Sequence, residues 1–235
     1  MDTKKCIWME AGSVDYQLCP LNQNCDLCDF HKEMMRGCRT RVPQNNTSGI
    51  MIRNPGESVA EFTPGLQYIN RHFWYKRVSE RLIRLGIDSF LWHLFASVHK
   101  IITPEIRTKL IEGQCFSWLQ LDDGIIYLRT PVSGQIIQSN PLFLAHELSD
   151  SHLYLTPAKD LWFVELESSE QTTRLECHPR DEYLSQTRLD LEKLNVLIQT
   201  QTDEKQVQLT RKFQIPKNEL SKYLLEISDN HAYMC

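Results

Sequence analysis

The sequence has no long apolar segment and no excess of positive charge. Its most apolar stretch, residues 90–102, contains His93, His99 and Lys100, and it is too short to span a bilayer. The formal net charge is −4, so no basic surface for the phosphates of a nucleic acid is indicated. These absences predict a protein whose partners are neither membranes nor nucleic acids.

Motifs that signal enzymes are also missing. There is no glycine-rich phosphate loop, no G-x-S-x-G nucleophile elbow and no H-E-x-x-H zinc motif. His146 and His152 are six positions apart, which does not align them on one helical face. Cys177 and His178 are adjacent, and neighbouring residues seldom orient as a nucleophile and its base. We therefore expect a protein without catalytic activity of its own.

The N-terminal segment predicts the compartment. Lys4 and Lys5 are not followed by the apolar run of a secretory signal, and we expect a cytoplasmic protein. Its eight cysteines would then lie in a reducing environment, where thiols more often bind metal or carry out redox chemistry than form structural disulfides. The cysteines are therefore candidate metal ligands.

Composition divides the chain into four zones. A cysteine-rich module, residues 1–40, is followed by a linker rich in Pro, Gly and Asn, residues 41–66. Short apolar segments separated by turn residues indicate a β domain over residues 67–168. Residues 169–235 are polar with leucines at helical spacing, and they predict two helices broken near Pro216. The leucine stripe of these helices either packs on the β domain or binds a partner.

Four cysteines of the first zone are spaced as metal ligands: Cys6, Cys19, Cys25 and Cys28. The two-residue gap lets Cys25 and Cys28 reach one ion from a tight turn, and four thiolates complete a tetrahedral Zn²⁺ site or hold an iron–sulfur cluster. A metal would also stabilise a segment that is too small for a core of its own. His31 or Cys38 could replace one of the four ligands. A redox disulfide between Cys25 and Cys28, or thiols without a ligand, are the alternatives.

Four stretches of the β domain carry motifs of one family: His72-Phe73-Trp74-Tyr75, Leu85-Gly86-Ile87-Asp88-Ser89-Phe90, Pro131-Val132-Ser133-Gly134 with the six residues to Asn140, and Leu161-Trp162-Phe163-Val164-Glu165-Leu166. Together they resemble the glycine cleavage system H protein, the lipoyl carrier of that complex. The first thirty or so residues also resemble an N-terminal extension of some H-like proteins, with the elements C-x-W-M-x-A-G, L-C and C-x-x-C. The resemblance therefore covers the β domain and the cysteine-rich module.

The resemblance implies a mainly β, α+β fold. It is a flattened barrel of the lipoyl- and biotinyl-domain type, a barrel-sandwich hybrid, with the cysteine-rich module before it and helices after it. Pro131 and Gly134 suit a hairpin turn, because Pro fixes φ and Gly accepts positive φ, and the flanking residues 125–128 and 135–138 are typical of strands. Residues 102–105 begin like a capped helix, whereas the family has extended chain there, and extended chain is our prediction.

The resemblance also identifies a missing group. In the H protein the lipoylated lysine lies eight residues before the proline of its P-V-S-G motif, and that position is Asp123 here. A carboxylate cannot form the amide to lipoate, and no lysine lies between Lys109 and Lys159. Residues 122–124, Asp-Asp-Gly, are typical of an ordinary hairpin turn. Lipoate is therefore not an expected cofactor.

Three functions are compatible with these features. We favour a degenerate H-protein-like protein, not lipoylated, that contains zinc or an iron–sulfur cluster and acts as an accessory or scaffold for a protein partner. The first alternative is a lipoyl carrier of a glycine cleavage-type system, which requires an amine at the hairpin tip. The second is an electron-transfer or sensing protein that uses an iron–sulfur cluster.

Overall fold

The computed structural model describes residues 4–10, 14–21, 25–40, 50–53, 62–69, 72–94, 98–121, 124–143, 160–168, 177–201, 212–228 and 232–234. Strands and helices occupy similar shares of these residues. The described strands are β1 (Lys4–Lys5), β2 (Leu18–Cys19), β3 (Ile50–Arg53), β4 (Gln67–Ile69), β5 (Phe73–Arg77), β6 (Leu82–Ile87), β7 (Lys100–Ile102), β8 (Lys109–Leu110), β9 (Cys115–Gln120), β10 (Ile125–Arg129), β11 (Gly134–Ser139), β12 (Trp162–Ser168), β13 (Lys212–Ile215) and β14 (Ala232–Met234). The described α-helices are α1 (Ile7–Glu10), α2 (Asp29–Thr40), α3 (Ser89–Leu94), α4 (Arg180–Gln201) and α5 (Lys217–Ile227). Short 3₁₀ turns span Cys25–Leu27 and Pro141–Phe143.

Two antiparallel sheets form the body of the β domain. The larger has six strands in the order β4-β5-β6-β12-β11-β8, and the smaller has four in the order β14-β10-β9-β7. Strand β12 is buried along almost its whole length, because it lies inside the larger sheet and contacts apolar side chains on both faces. Two shorter pairs, β1 with β2 and β3 with β13, complete the described strand pairing.

The main core lies between the two sheets and the C-terminal helices. Its buried cluster includes Phe73 of the larger sheet, Phe116 of the smaller sheet, Leu194 of α4 and Leu224 of α5. Each of these side chains is fully shielded from solvent, so hydrophobic burial joins sheets and helices into one unit. The leucine stripe of the two helices therefore packs on the β domain, one of the two roles that the sequence allowed.

The structure confirms several local predictions and corrects others. The residues between β7 and β8 form no helix, so the capped helix that their local sequence suggested is absent; they contain a turn at residues 106–107, where Arg107 has a positive φ of 73°. Two C-terminal helices are present, and Pro216 directly precedes the second. Within the described strands the two sheets stay open and do not close into a barrel, which differs from the flattened barrel that we predicted. Strand β3 falls inside the predicted linker and pairs with β13, far away in sequence.

No helix in the described ranges has both the length and the apolar character required to cross a bilayer.

Candidate functional site

The hairpin β9–β10 occupies the place where the family resemblance puts the carrier residue. Gln120 lies opposite Ile125 across the hairpin, and the Leu121 N–H donates to the Gly124 carbonyl at 2.9 Å. Positions 122 and 123 join these last two residues, so the predicted lipoyl-site equivalent, Asp123, lies outside the described residues. The hairpin itself is as the Asp-Asp-Gly sequence predicted.

The Pro131–Gly134 segment is a turn, but the prediction of a hairpin there was wrong. Strand β10 before it belongs to the four-stranded sheet and β11 after it to the six-stranded sheet, so the turn carries the chain from one sheet to the other. Thr130 fixes the turn, because its hydroxyl donates to the Val132 carbonyl at 2.6 Å. A Cβ at Gly134 would lie 2.8 Å from the Glu167 carbonyl oxygen, so only glycine fits this close approach of β12.

Asn140, the last residue of the family motif that begins at Pro131, fixes the start of β12 by hydrogen bonds. Its side-chain amide donates to the carbonyls of Asp160, at 2.9 Å, and Trp162, at 2.7 Å. Its Oδ1 accepts the N–H of Leu142 at 3.1 Å. Because the side chain is buried, these bonds replace water at three backbone groups. The asparagine of the family motif is therefore a structural residue in this chain.

The four predicted cysteine ligands come from three segments that meet beside the smaller sheet. Cys19 in β2 lies opposite Lys4 of β1, and the N–H of Cys6, two residues after Lys4, donates to the Gln17 carbonyl at 2.9 Å. The Cys28 N–H donates to the Cys25 carbonyl at 3.0 Å, which forms the tight turn that the two-residue gap predicted. Cys6 and Cys25 are buried, and Cys19 and Cys28 are half-buried.

The thiols influence one another electrostatically. Burial raises the pKa of the Cys25 thiol, and the thiols of Cys115, Cys19, Cys6 and Cys28, in decreasing order, raise it further. Burial likewise raises the pKa of Cys6, to which the thiols of Cys19 and Cys28 also contribute. A cation beside Cys6 and Cys25 would oppose this effect, because it favours the thiolate form.

His31 and Cys38 are the two residues that could replace one of the predicted cysteine ligands. The indole Nε1–H of Trp8 donates to Nδ1 of His31 at 3.1 Å, so the proton of the neutral imidazole lies on Nε2. Neither ring nitrogen then offers a lone pair to a metal, and His31 is a packing residue between Trp8 and Tyr127. Cys38 lies in α2, and its side chain is outside the described part of the structure. Among the described residues, no three Cys, His, Asp or Glu side chains converge as a metal site.

A buried ionic network, which the sequence did not predict, joins the β domain to the C-terminal helices. His72 Nδ1 lies 2.7 Å from Asp88 Oδ2, and His72 Nε2 lies 3.4 Å from Asp190 Oδ2 on α4. The Tyr183 hydroxyl donates to Asp88 Oδ2 at 2.7 Å, and the Tyr223 hydroxyl of α5 donates to the Asp190 carbonyl at 2.8 Å. The network therefore spans both helices and the start of β5.

The electrostatics of this network favour a charged histidine. Burial alone would lower the pKa of His72, but the carboxylates of Asp88 and Asp190 outweigh it and raise the pKa to about 9. One sequence signal could have revealed the network. Asp190 falls on the buried stripe of α4, with Leu191 and Leu194, and a buried carboxylate requires a cationic or hydrogen-bonding partner.

Comparisons with known proteins bear on about half of the chain. No family model matches it. The glycine cleavage system H protein of Staphylococcus saprophyticus is 26% identical over 120 residues, which are 50% of this chain and 90% of that protein. The glycine cleavage system H-like protein of Chlamydia muridarum is 26% identical over 103 residues, 44% of this chain and 86% of that protein. The crystal structure of an H protein from Mycobacterium marinum covers 54% of this chain and 99% of its own, with a TM-score of 0.45 and 18% identity.

These relatives support the resemblance that the sequence motifs indicated. The chain therefore contains a domain similar to the glycine cleavage system H protein.

Proposed function

We propose that this chain is a non-catalytic, cytoplasmic accessory protein in which an H-protein-like domain without a lipoyl arm is joined to a metal-binding segment. The metal, zinc or an iron–sulfur cluster, would be held by four thiols: Cys6, Cys19, Cys25 and Cys28. One observation supports the proposal: the three segments that carry these thiols meet beside the smaller sheet, where Cys6 and Cys25 share one buried cluster with residues of the β9–β10 hairpin. The assembled surface would dock to a protein partner.

The chemistry of the donor set fits such a metal. Thiolates suit zinc and iron–sulfur clusters alike, and the His31 backbone N–H, 3.5 Å from Cys28 Sγ, would stabilise a thiolate there. Binding requires the thiols to move closer together than they lie in the described residues. A bound zinc ion would add folding stability to the segment, and a cluster would add one-electron redox capacity.

The lipoyl group does not fit the residues of the hairpin. The position that the family resemblance assigns to the modified lysine is Asp123, and a carboxylate offers no amine for the amide bond. The closest lysine before the hairpin in sequence, Lys109, is an exposed residue of β8 and lies opposite Gln135 in the other sheet. We therefore infer that the domain retains the strands of a lipoyl carrier but lacks the lysine to which lipoate is attached.

A working lipoyl carrier is the second candidate, because the relatives over this half of the chain are H proteins. The two candidate functions predict different masses for the protein recovered from cells, because lipoylation adds mass. The full chain should be co-expressed with a lipoyl ligase and lipoate, and its intact mass compared with that of the Staphylococcus saprophyticus H protein treated identically. We expect an added lipoyl group on the bacterial control and none on this chain. A lipoyl increment on any lysine of this chain would reject the proposal in favour of the carrier.

Metal analysis of the purified chain tests the proposed metal site separately. The full chain purified without oxygen should contain zinc and be colourless, or contain iron and sulfide and absorb visible light. Cys25→Ser should lower the metal content, because it removes the most buried of the four proposed ligands. Cys177→Ser is the matched control, since Cys177 is exposed and lies near Tyr75 of the β domain. Unchanged metal content in the Cys25 variant would contradict the proposed ligand set.

A further inference from the structure

A single tight turn places two thiols of the N-terminal segment at the beginning of helix α2. Residues Cys25–Leu27 form a 3₁₀ turn, and Cys28 follows directly before α2. The Cys28 N–H donates to the Cys25 carbonyl at 3.0 Å. Because a 3₁₀ turn rises about 2 Å per residue and eclipses side chains three positions apart, the Cα atoms of the two cysteines are about 6 Å apart. A disulfide spans that separation without movement of the backbone.

Cys28 occupies the N-cap of the 12-residue helix α2. Its carbonyl accepts the Lys32 N–H at 2.9 Å, which is the first bond of the helix, and its Sγ accepts the His31 N–H at 3.5 Å. N-cap positions favour Ser, Thr, Asp or Asn, so a sulfur here replaces the usual oxygen acceptor. The N–H groups and the dipole at the start of a helix stabilise negative charge on that sulfur.

The two thiols differ in exposure. Cys25 is 6% exposed and belongs to the buried cluster between the N-terminal segment and the smaller sheet, and burial raises the pKa of its thiol. Cys28 is half-buried, and the preceding residue, Leu27, is 66% exposed, so the turn faces solvent. A thiolate attacks a disulfide, whereas a thiol does not. Cys28 is therefore the accessible nucleophile, and Cys25 remains a protonated thiol.

We infer that Cys25 and Cys28 form a reversible dithiol–disulfide pair that exchanges with low-molecular-weight disulfides, with Cys28 as the attacking residue. Cys28 loses its proton to solvent, and its sulfur attacks the incoming disulfide, which breaks the S–S bond and releases one thiolate. Cys25 then gives its proton to that thiolate and attacks the Cys28 sulfur. The second thiolate is released and takes up a proton from solvent. The pair is thus oxidised by two electrons, and the small disulfide is reduced to two thiols.

This inference does not rest on the proposed metal. A disulfide between Cys25 and Cys28 leaves neither sulfur as a thiolate for a metal ion, so the oxidised pair and a bound ion exclude each other. Because the disulfide closes a turn that is already formed, the fold should persist in both oxidation states. Oxidation would then control whether the two thiols are open to other ligands.

The wild-type full chain tests the pair without any substitution. After treatment with a chelator, the chain is equilibrated with mixtures of reduced and oxidised glutathione, quenched with an alkylating reagent and analysed by intact mass. We expect the number of alkylated thiols to fall by two of the eight in one step, and a peptide map to link Cys25 to Cys28. A first disulfide between any other cysteines, or none before the chain unfolds, would overturn the inference.

Two single substitutions test the order of attack. In Cys25→Ser the second step is blocked, so glutathione should accumulate at Cys28 as a mixed disulfide. In Cys28→Ser the adduct at Cys25 should form at least about tenfold more slowly, since each unit by which a pKa is raised lowers the thiolate fraction about tenfold. Cys19→Ser, a change of another half-buried thiol, is the matched control and should keep the wild-type disulfide. Equal rates in the first two variants would contradict the assigned roles.

The proposed metal function fails or holds separately from this pair. Metal found in the isolated chain, together with unlinked Cys25 and Cys28 at every glutathione ratio, would overturn the inference and leave the proposed function intact. A chain without metal that forms the expected disulfide would support the inference alone.

Discussion

Raising the pH should weaken the fold through a single buried histidine. The folded-state pKa of His72 is about 9, whereas its ordinary value is 6.5. Below pH 6.5 the imidazole is protonated in both the folded and the unfolded chain, so the attraction to Asp88 and Asp190 contributes fully. Above that pH the unfolded chain releases the proton first, and the stabilisation declines until the folded chain also loses it near pH 9.

The expected loss follows from the size of the pKa shift. At about 1.4 kcal/mol per pKa unit, a rise from 6.5 to about 9 corresponds to about 3 kcal/mol of the free energy of unfolding. A loss of this size is a large fraction of the stability of an ordinary domain. It should appear between pH 6.5 and 9, before the buried tyrosines lose their protons, because burial raises the pKa of Tyr183 and that of Tyr223 above the usual tyrosine range.

The assay is urea denaturation of the full chain at several pH values from 6 to 9. Asp190→Asn removes one of the two carboxylates that face His72, so the pKa of His72 should fall and the pH dependence should shrink. His178→Gln changes a more exposed histidine, which pairs with Glu182 at the start of α4, and should leave the pH dependence unchanged. Equal slopes in the wild-type and Asp190→Asn chains would refute the assignment of this effect to the network.

Two further predictions concern packing in the H-protein-like domain. Gly86→Ala should lower the free energy of unfolding by about 2 kcal/mol, because the new methyl group would overlap the buried indole of Trp74; an unchanged melting temperature would contradict this. Asn140→Ala should cost about 3 kcal/mol in chemical denaturation, since the carbonyls of Asp160 and Trp162 and the N–H of Leu142 lose their partner. A loss below about 0.5 kcal/mol would show that water replaces those bonds.

Sequence alone predicted those elements whose signals are local. The β-branched and aromatic runs of β10 and β11 and the turn at Pro131–Gly134 follow from backbone preferences of a few neighbouring residues. The tight turn from Cys25 to Cys28 is local in the same sense. Each of these elements lies where we predicted it.

Long-range pairing could not be predicted in the same way. Strands β10 and β11 flank the same turn, yet they belong to different sheets. Packing of strands that are distant in sequence, rather than the turn, determines their pairing partners. Strand β14 pairs with β10, although it is too short to give a periodic signal. The β3–β13 pair, likewise, forms between residues 50–53 and 212–215, which no local pattern connects.

The candidate site shows the same limit. The spacing of Cys6, Cys19, Cys25 and Cys28 predicted a metal site; the structure brings their segments together, but among the described residues no three such side chains converge as a metal site. Cys115 of β9 joins the buried cluster of Cys6 and Cys25 only because the N-terminal segment packs on the smaller sheet, and no local pattern could indicate that contact. The buried ionic network of His72, Asp88 and Asp190 was missed for a related reason: Asp190 lies in a different zone of the sequence from the other two residues.

The contact between the N-terminal segment and the smaller sheet has a practical consequence for fragments of this protein. A fragment trimmed to begin at residue 67 would keep every strand of the two sheets but would uncover Ile102, Trp118 and Tyr127, which the N-terminal segment now shields. An apolar patch of this kind on a sheet promotes self-association. The isolated H-protein-like half is therefore expected to precipitate or oligomerise more readily than the longer chain, so tests for carrier chemistry require the longer chain.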